Sequence, residues 1–193
     1  DLANIGYLPE ERGLYRKMTV LDQLLFLGEL HGLSKKAAKP LAEQWLERVE
    51  LPQWADKKVE ELSKGMQQKI QLVGTVLHSP DLVILDEPFS GLDPINTRQI
   101  KDLMLAMADE GVTIVLSTHV LPQVDELCTS ICLINRARPI LYGSLEEIRA
   151  DYGGNTWRVQ SDLAESELTA LPGVVAVHPL GEERLLDLED GAD

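Results

Sequence analysis

The stretch Leu82-Val83-Ile84-Leu85-Asp86-Glu87-Pro88-Phe89-Ser90-Gly91-Leu92-Asp93 decides the fold. Four aliphatic residues run together and stop at two adjacent carboxylates. A run that short, apolar and rich in Val and Ile predicts a strand buried on both faces of a parallel sheet. Pro88 has no N–H to give to a ladder, so the strand ends before it. Asp86 and Glu87 therefore fall at the carboxyl end of a core strand, where open α/β sheets bind ligands. An isolated Asp-Glu there is as readily a strand end turning into solvent. Two neighbouring acids are costly, however, unless a cation, a water or a phosphate site uses them.

Working outward, Ile5-Gly6-Tyr7-Leu8 reads as a strand closed by Pro9, and Val112–Ser117 as a second buried strand with Thr118-His119 at its carboxyl end. Between the first strand and Leu82 lies helical sequence. Thr19 is an N-cap with Asp22 three residues on, and Ser34 is a second N-cap. Leu24, Leu27, Trp45, Leu46 and Val49 fall on apolar stripes, with Trp45 and Trp54 packing this insertion. Ser63 caps the helix that follows, and a helical subdomain spans about residues 19–78. A helix start with Ser and Gly exposes N–H groups and a partial positive charge suited to phosphate, although taken alone an ordinary capped helix is the simpler reading. Pro94 sits at the first position of another helix, ended by Gly111. Strands alternating with helices in this way make an α/β protein with a parallel sheet.

Ile131–Ile134 and Pro139–Tyr142 predict a hairpin turned by Asn135-Arg136-Ala137-Arg138, and Ser144 to Glu147 is a capping box opening one more helix. Beyond it the composition changes. Residues 151–193 carry 10 acidic and 2 basic side chains, more than half of the chain's net charge of −14. With Gly153-Gly154 as a flexible joint, this places a boundary at 150/151. Strand Thr156–Gln160, helix Leu163–Leu171 and strand Val174–His178 are expected past it. The acidic balance argues against nonspecific nucleic-acid binding. No run approaches the roughly 18 apolar residues of a membrane span, and no secretory leader is visible. Cys128 and Cys132, spaced i, i+4, predict buried thiols in a reducing compartment. His31, His78 and His178 have no ligand-like neighbours in sequence and read as structural or solvated.

The order of these features closely resembles the ATP-binding subunits of ABC transporters over residues 4–150. Leu62-Ser63-Lys64-Gly65-Met66 resembles the LSGGQ signature, and Leu82–Glu87 resembles Walker B with its catalytic glutamate. Ser90-Gly91-Leu92-Asp93 resembles the D-loop, His119 the switch histidine, and Ile5–Glu10 the Q-loop strand. Two positions depart from the commonest pattern: Glu10 stands for Gln, and Lys64 and Met66 for Gly and Gln. With Gln67-Gln68-Lys69 they suggest the ABC-2-type export subgroup, whose members often carry a small appended C-terminal domain.

The resemblance implies a partial P-loop NTPase (RecA-like) sheet with an α-helical subdomain, followed by the start of a small α+β domain at 151–193. It implies ATP and Mg²⁺ as cofactors. Asp86 and Glu10 would serve the metal, and Glu87 and His119 catalysis. Ser63, Lys64, Gly65, Met66, Gln67 and Asp93 would contact nucleotide. The partners implied are a second ATPase subunit in a head-to-tail dimer and a transmembrane permease, with no nucleic acid. The location implied is cytoplasmic and peripheral, at the inner face of the plasma membrane. The alternatives are a soluble ABC ATPase acting on ribosomes or DNA, or an inactive fragment serving as a binding module. A GxxxxGK[ST] loop, which the family places upstream of the Q-loop strand, is not in this sequence. A start at Asp1 rather than Met suggests a chain that begins partway through a longer protein, inactive by itself.

Overall fold

A computed structural model describes residues 4–11, 13–152, 155–180 and 183–189. The chain divides into two compact units, Asp1–Leu127 and Cys128–Asp193. The boundary expected at 150/151 adjoins Gly153-Gly154, a pair that lies outside the described residues.

The first unit is built on a parallel sheet in the order β1-β2-β3, from β1 (Ile5–Leu8), β2 (Leu82–Asp86) and β3 (Thr113–Ser117). Its register pairs Leu8 with Leu85 and Asp86 with Ser117. Helices α1 (Val20–Leu30), α2 (Lys35–Arg48) and α3 (Lys64–Val76) lie between β1 and β2, and α4 (Pro94–Asp109) between β2 and β3. Their starts are where the capping residues predict. Thr19, Ser34 and Ser63 each accept a backbone N–H three residues on, and Asp93 caps α4 ahead of Pro94.

The sheet is packed on one face. Leu8, Val83 and Leu85 are fully buried, and Val76 of α3, Val83 and Met107 of α4 line one cavity on that side. Gly6 is required there, because a Cβ would lie 2.5 Å from the Thr75 carbonyl oxygen. On the other face Tyr7 and Val115 are 57% and 48% exposed. This corrects the expectation of strands buried on both faces: β2 alternates half-buried and buried, and β3 alternates exposed and half-buried. The helices among the described residues cover one face, and an unbroken aliphatic run does not reveal that. Each fully buried Leu contributes about 1.5–3 kcal/mol, so the cluster joining this face to α1–α4 is what holds the unit together.

After α5 (Leu121–Leu127), the second unit opens with a hairpin of β4 (Ser130–Asn135) and β5 (Arg138–Ser144). Its two-residue turn places Arg136 and Ala137 at φ 49° and 58°, the left-handed pair of a type I′ turn made without Asn or Gly. Ser144 and Glu147 form the predicted capping box at α6 (Leu145–Tyr152). A three-stranded sheet follows in the order β6-β8-β7, from β6 (Thr156–Val159), β7 (Val174–Leu180) and β8 (Glu183–Leu188), with α7 (Glu165–Thr169) preceding β7. The sequence pattern does not announce the central strand, β8: its ERLLDL alternates poorly and gains its identity from partners on both sides. The burial expected of the thiols is a second correction. Both are free, Cys132 is exposed on β4 and Cys128 is half-buried, where burial pushes its pKa up.

Candidate functional site

The site begins where β2 ends. Asp86 is the last strand residue, and its Oδ1 accepts the Ser117 hydroxyl at 2.5 Å from the neighbouring end of β3. Glu87 follows with φ +45°, a left-handed conformation that costs a non-glycine residue on the order of 1–2 kcal/mol. Its N–H donates to the Ser117 carbonyl and its carbonyl accepts the Ser90 N–H, and these two bonds hold the turn. Strain of this kind persists where surroundings over-determine a functional geometry.

The turn aims the Glu87 carboxylate at the end of β3. Oε1 accepts the His119 backbone N–H at 3.0 Å and lies 2.7 Å from His119 Nδ1, while the Thr118 hydroxyl lies 3.4 Å from Oε2. Thr118 also reaches Gln123 and accepts the Val120 N–H. Glu87 is mostly buried, whereas the His119 side chain is 83% exposed. A neutral imidazole donating through Nδ1 keeps Nε2 as an acceptor. Asp86, Glu87 and His119 are thus brought together as the sequence predicts. Ser117 and Thr118, the hydroxyls that orient the two acids, were not singled out; their signal was adjacency to His119 at a strand end.

The second element is the N-terminus of α3. Ser63 Oγ accepts the Met66 N–H at 3.2 Å, Lys64 is exposed and Met66 packs against the core. Gln67 turns inward, its carboxamide donating to the Leu62 and Val59 carbonyls. Asp93 lies in the turn after β2. Its Oδ1 accepts the N–H groups of Ile95 and Asn96, and its Oδ2 the Asn96 carboxamide N–H at 2.5 Å. Those bonds, the Asn96 backbone N–H first, hold its carboxyl below the usual carboxylate range.

Glu10 is exposed on the loop after β1. The residue that grips this loop is Gln71 of α3, buried, whose Nε2 lies 3.3 Å from both the Pro9 and Glu11 carbonyl oxygens, on either side of Glu10. The buried Gln71 Oε1 has no partner. Nothing local in the sequence marks Gln71, because its targets are about 60 residues away. Carboxylate oxygens on β2 and the Glu10 loop suit a hard divalent cation such as Mg²⁺, which takes one or two protein carboxylates together with phosphate oxygens.

A parallel sheet with an acid pair at the carboxyl end of its middle strand, a His on the next strand end and a capped helix start has the P-loop NTPase fold of ABC ATPase domains. The ABC transporter family model matches residues 2–90. YhaQ of Bacillus subtilis, an uncharacterized ABC transporter ATP-binding protein, is 48% identical over 82% of this chain and 53% of its own length. The linearmycin resistance ATP-binding protein LnrL of the same organism is 33% identical over 79% of this chain and 49% of its own. A solved ATP-binding subunit of an ABC transporter superposes with a TM-score of 0.69 at 31% identity, covering 78% of this chain and 63% of that one. The chain belongs to the ABC transporter ATP-binding protein family. It spans about half the length of these curated relatives.

Proposed function

We propose that this chain is part of an ATP-hydrolysing subunit that powers export through an ABC transporter. The observation that carries the reading is the closed cluster at the sheet end, with Glu87 held by both the backbone and the ring of His119 beside Asp86. Glu87 is the group that takes a proton from the attacking water. As the water oxygen bonds to the γ-phosphorus, the bond to the bridging oxygen breaks and ADP leaves. His119 keeps Glu87 oriented and offers its exposed ring to the γ-phosphate. Asp86 and Glu10 would hold Mg²⁺, which when bound neutralises charge on the phosphate oxygens.

The start of α3, with Ser63, Lys64, Gly65, Met66 and Gln67, faces the nucleotide of a second subunit in a head-to-tail dimer, and Asp93 lies at the same contact. Donors at a helix start suit a γ-phosphate. A transmembrane permease is the second partner, with the subunit peripheral at the inner face of the membrane; among the described residues no helix is long and apolar enough to cross one. The export direction draws on Lys64 and Met66 in the signature-like stretch and on LnrL, whose name carries resistance.

The test is Glu87→Gln in the complete subunit. The amide cannot take the proton while Asp86 is unchanged, so steady-state hydrolysis falls by about 10²-fold or more with ATP binding retained. Turnover within about threefold of wild type sinks the assignment.

A further inference from the structure

Gly65 is buried in the second position of α3. A Cβ there would lie within 2.5 Å of both the nitrogen and the oxygen of the Asn96 carboxamide. That carboxamide is not free to swing away, because its N–H is held by Asp93 Oδ2 and its backbone N–H by Asp93 Oδ1. Asp93 is in turn fixed as the cap of α4, itself opening at Pro94. The start of α3 and the turn after β2 therefore meet through one amide wedged between a glycine and a carboxylate. We infer that Asn96 is a positioning residue that locks the start of α3 to the Asp93 turn, so that the two elements facing the partner's nucleotide move as one piece. The glycine at position 65 is required by this contact, and not only by the approach of phosphate. The inference rests on the proposed function, which makes both elements part of the opposing site.

A residue with a merely structural role and one that sets the geometry of a shared site differ in what they move. In the complete subunit, Asn96→Ala is expected to lower kcat by about tenfold, the scale of a small misplacement of a reacting geometry. KM stays within about twofold, because on this inference Asn96 acts by placing the start of α3 and not by holding nucleotide. Gly65→Ala is expected to lose at least about tenfold in turnover and to melt earlier, since the new methyl meets the amide. Adding Asn96→Gly to Gly65→Ala removes the obstruction. It should restore the thermal midpoint, while turnover stays about tenfold down, as in Asn96→Ala, because the lock is absent.

A double variant that melts as early as Gly65→Ala overturns the inference, because the methyl at position 65 then does not meet the Asn96 amide. An unchanged kcat in Asn96→Ala, or a KM that rises as much as kcat falls, also overturns it. Should the wild-type complete subunit show no hydrolysis, the proposed function and the coupling fall together. The thermal cycle between positions 65 and 96 would then still report whether the packing is real, so the two failures are told apart.

Discussion

The end of β2 and the start of α3 are both built to handle charge, and they are built in opposite ways. The first is closed on itself: Asp86 takes the Ser117 hydroxyl and Glu87 takes two bonds from His119. The second is a row of donors whose internal bonds run to its own cap and whose glycine is covered by Asn96. A carboxylate already paired with a His inside its own unit is poised to act on whatever sits beside it. A capped helix start brings positive potential and no proton acceptor, so it can grip an anion without reacting with it. On the proposed function, the difference teaches how labour is divided within one fold: chemistry at the strand end, recognition at the helix start.

The sharpest break in that comparison is Glu87→Gln, whose loss of about 10²-fold or more has no counterpart among changes at α3 that preserve its cap. Next comes Gln71, which connects the two regions by tying α3 to the loop of Glu10. Gln71→Leu keeps the volume and removes both donors. Turnover should fall by about tenfold, and the Mg²⁺ concentration for half-maximal activity should rise as Glu10 loses its place. The melting temperature should hold, because the change also deletes a buried, unpartnered oxygen. A magnesium dependence identical to wild type would separate α3 from the Glu10 loop.

The smallest effect is placed away from both regions. His78 stacks on His31 with ring centroids 3.8 Å apart, and its Nε2 meets the Ile5 carbonyl at 3.3 Å. Burial first, then the charge of His31, pushes the His78 pKa down, against the pull of the Ile5 carbonyl. A lowered folded pKa means that folding disfavours the protonated ring. The stability this gives is fully present above the unfolded value of about 6.5 and is lost as pH falls through the lower folded value. Denaturant midpoints taken from pH 7.5 down to 5 should fall more steeply in wild type than in His78→Phe. Equal slopes would remove His78 from the account, leaving the strand end and the helix start as they are.

Much of this was legible in the residues. Leu82–Glu87 names its own strand and its own acids, and Thr19, Ser34, Ser63 and Asp93-Pro94 each announce a helix start, because capping is local chemistry. Gathering Asp86, Glu87 and His119 needed only adjacent parallel strands. What could not be read depends on contact between distant segments. The one-sided packing of β2 and β3 depends on which helices cover the sheet, and LVILD looks the same with one face covered or two. The grip of Gln71 on the Glu10 loop and the wedge of Asn96 against Gly65 span about 60 and 30 residues, beyond any local pattern. β8 shows no clean alternation and becomes a strand because β6 and β7 flank it.

The division between strand end and helix start makes its central claim about two subunits, and mixed dimers test it most directly. Complete subunits carrying Ser63→Arg spoil the helix start, and those carrying Glu87→Gln spoil the strand end. In a mixed dimer one composite site carries both changes and the other carries neither. The account predicts that each variant alone is inactive and that verified mixed dimers hydrolyse ATP. Mixed dimers as inactive as either parent would contradict a site shared between the strand end of one subunit and the helix start of the other.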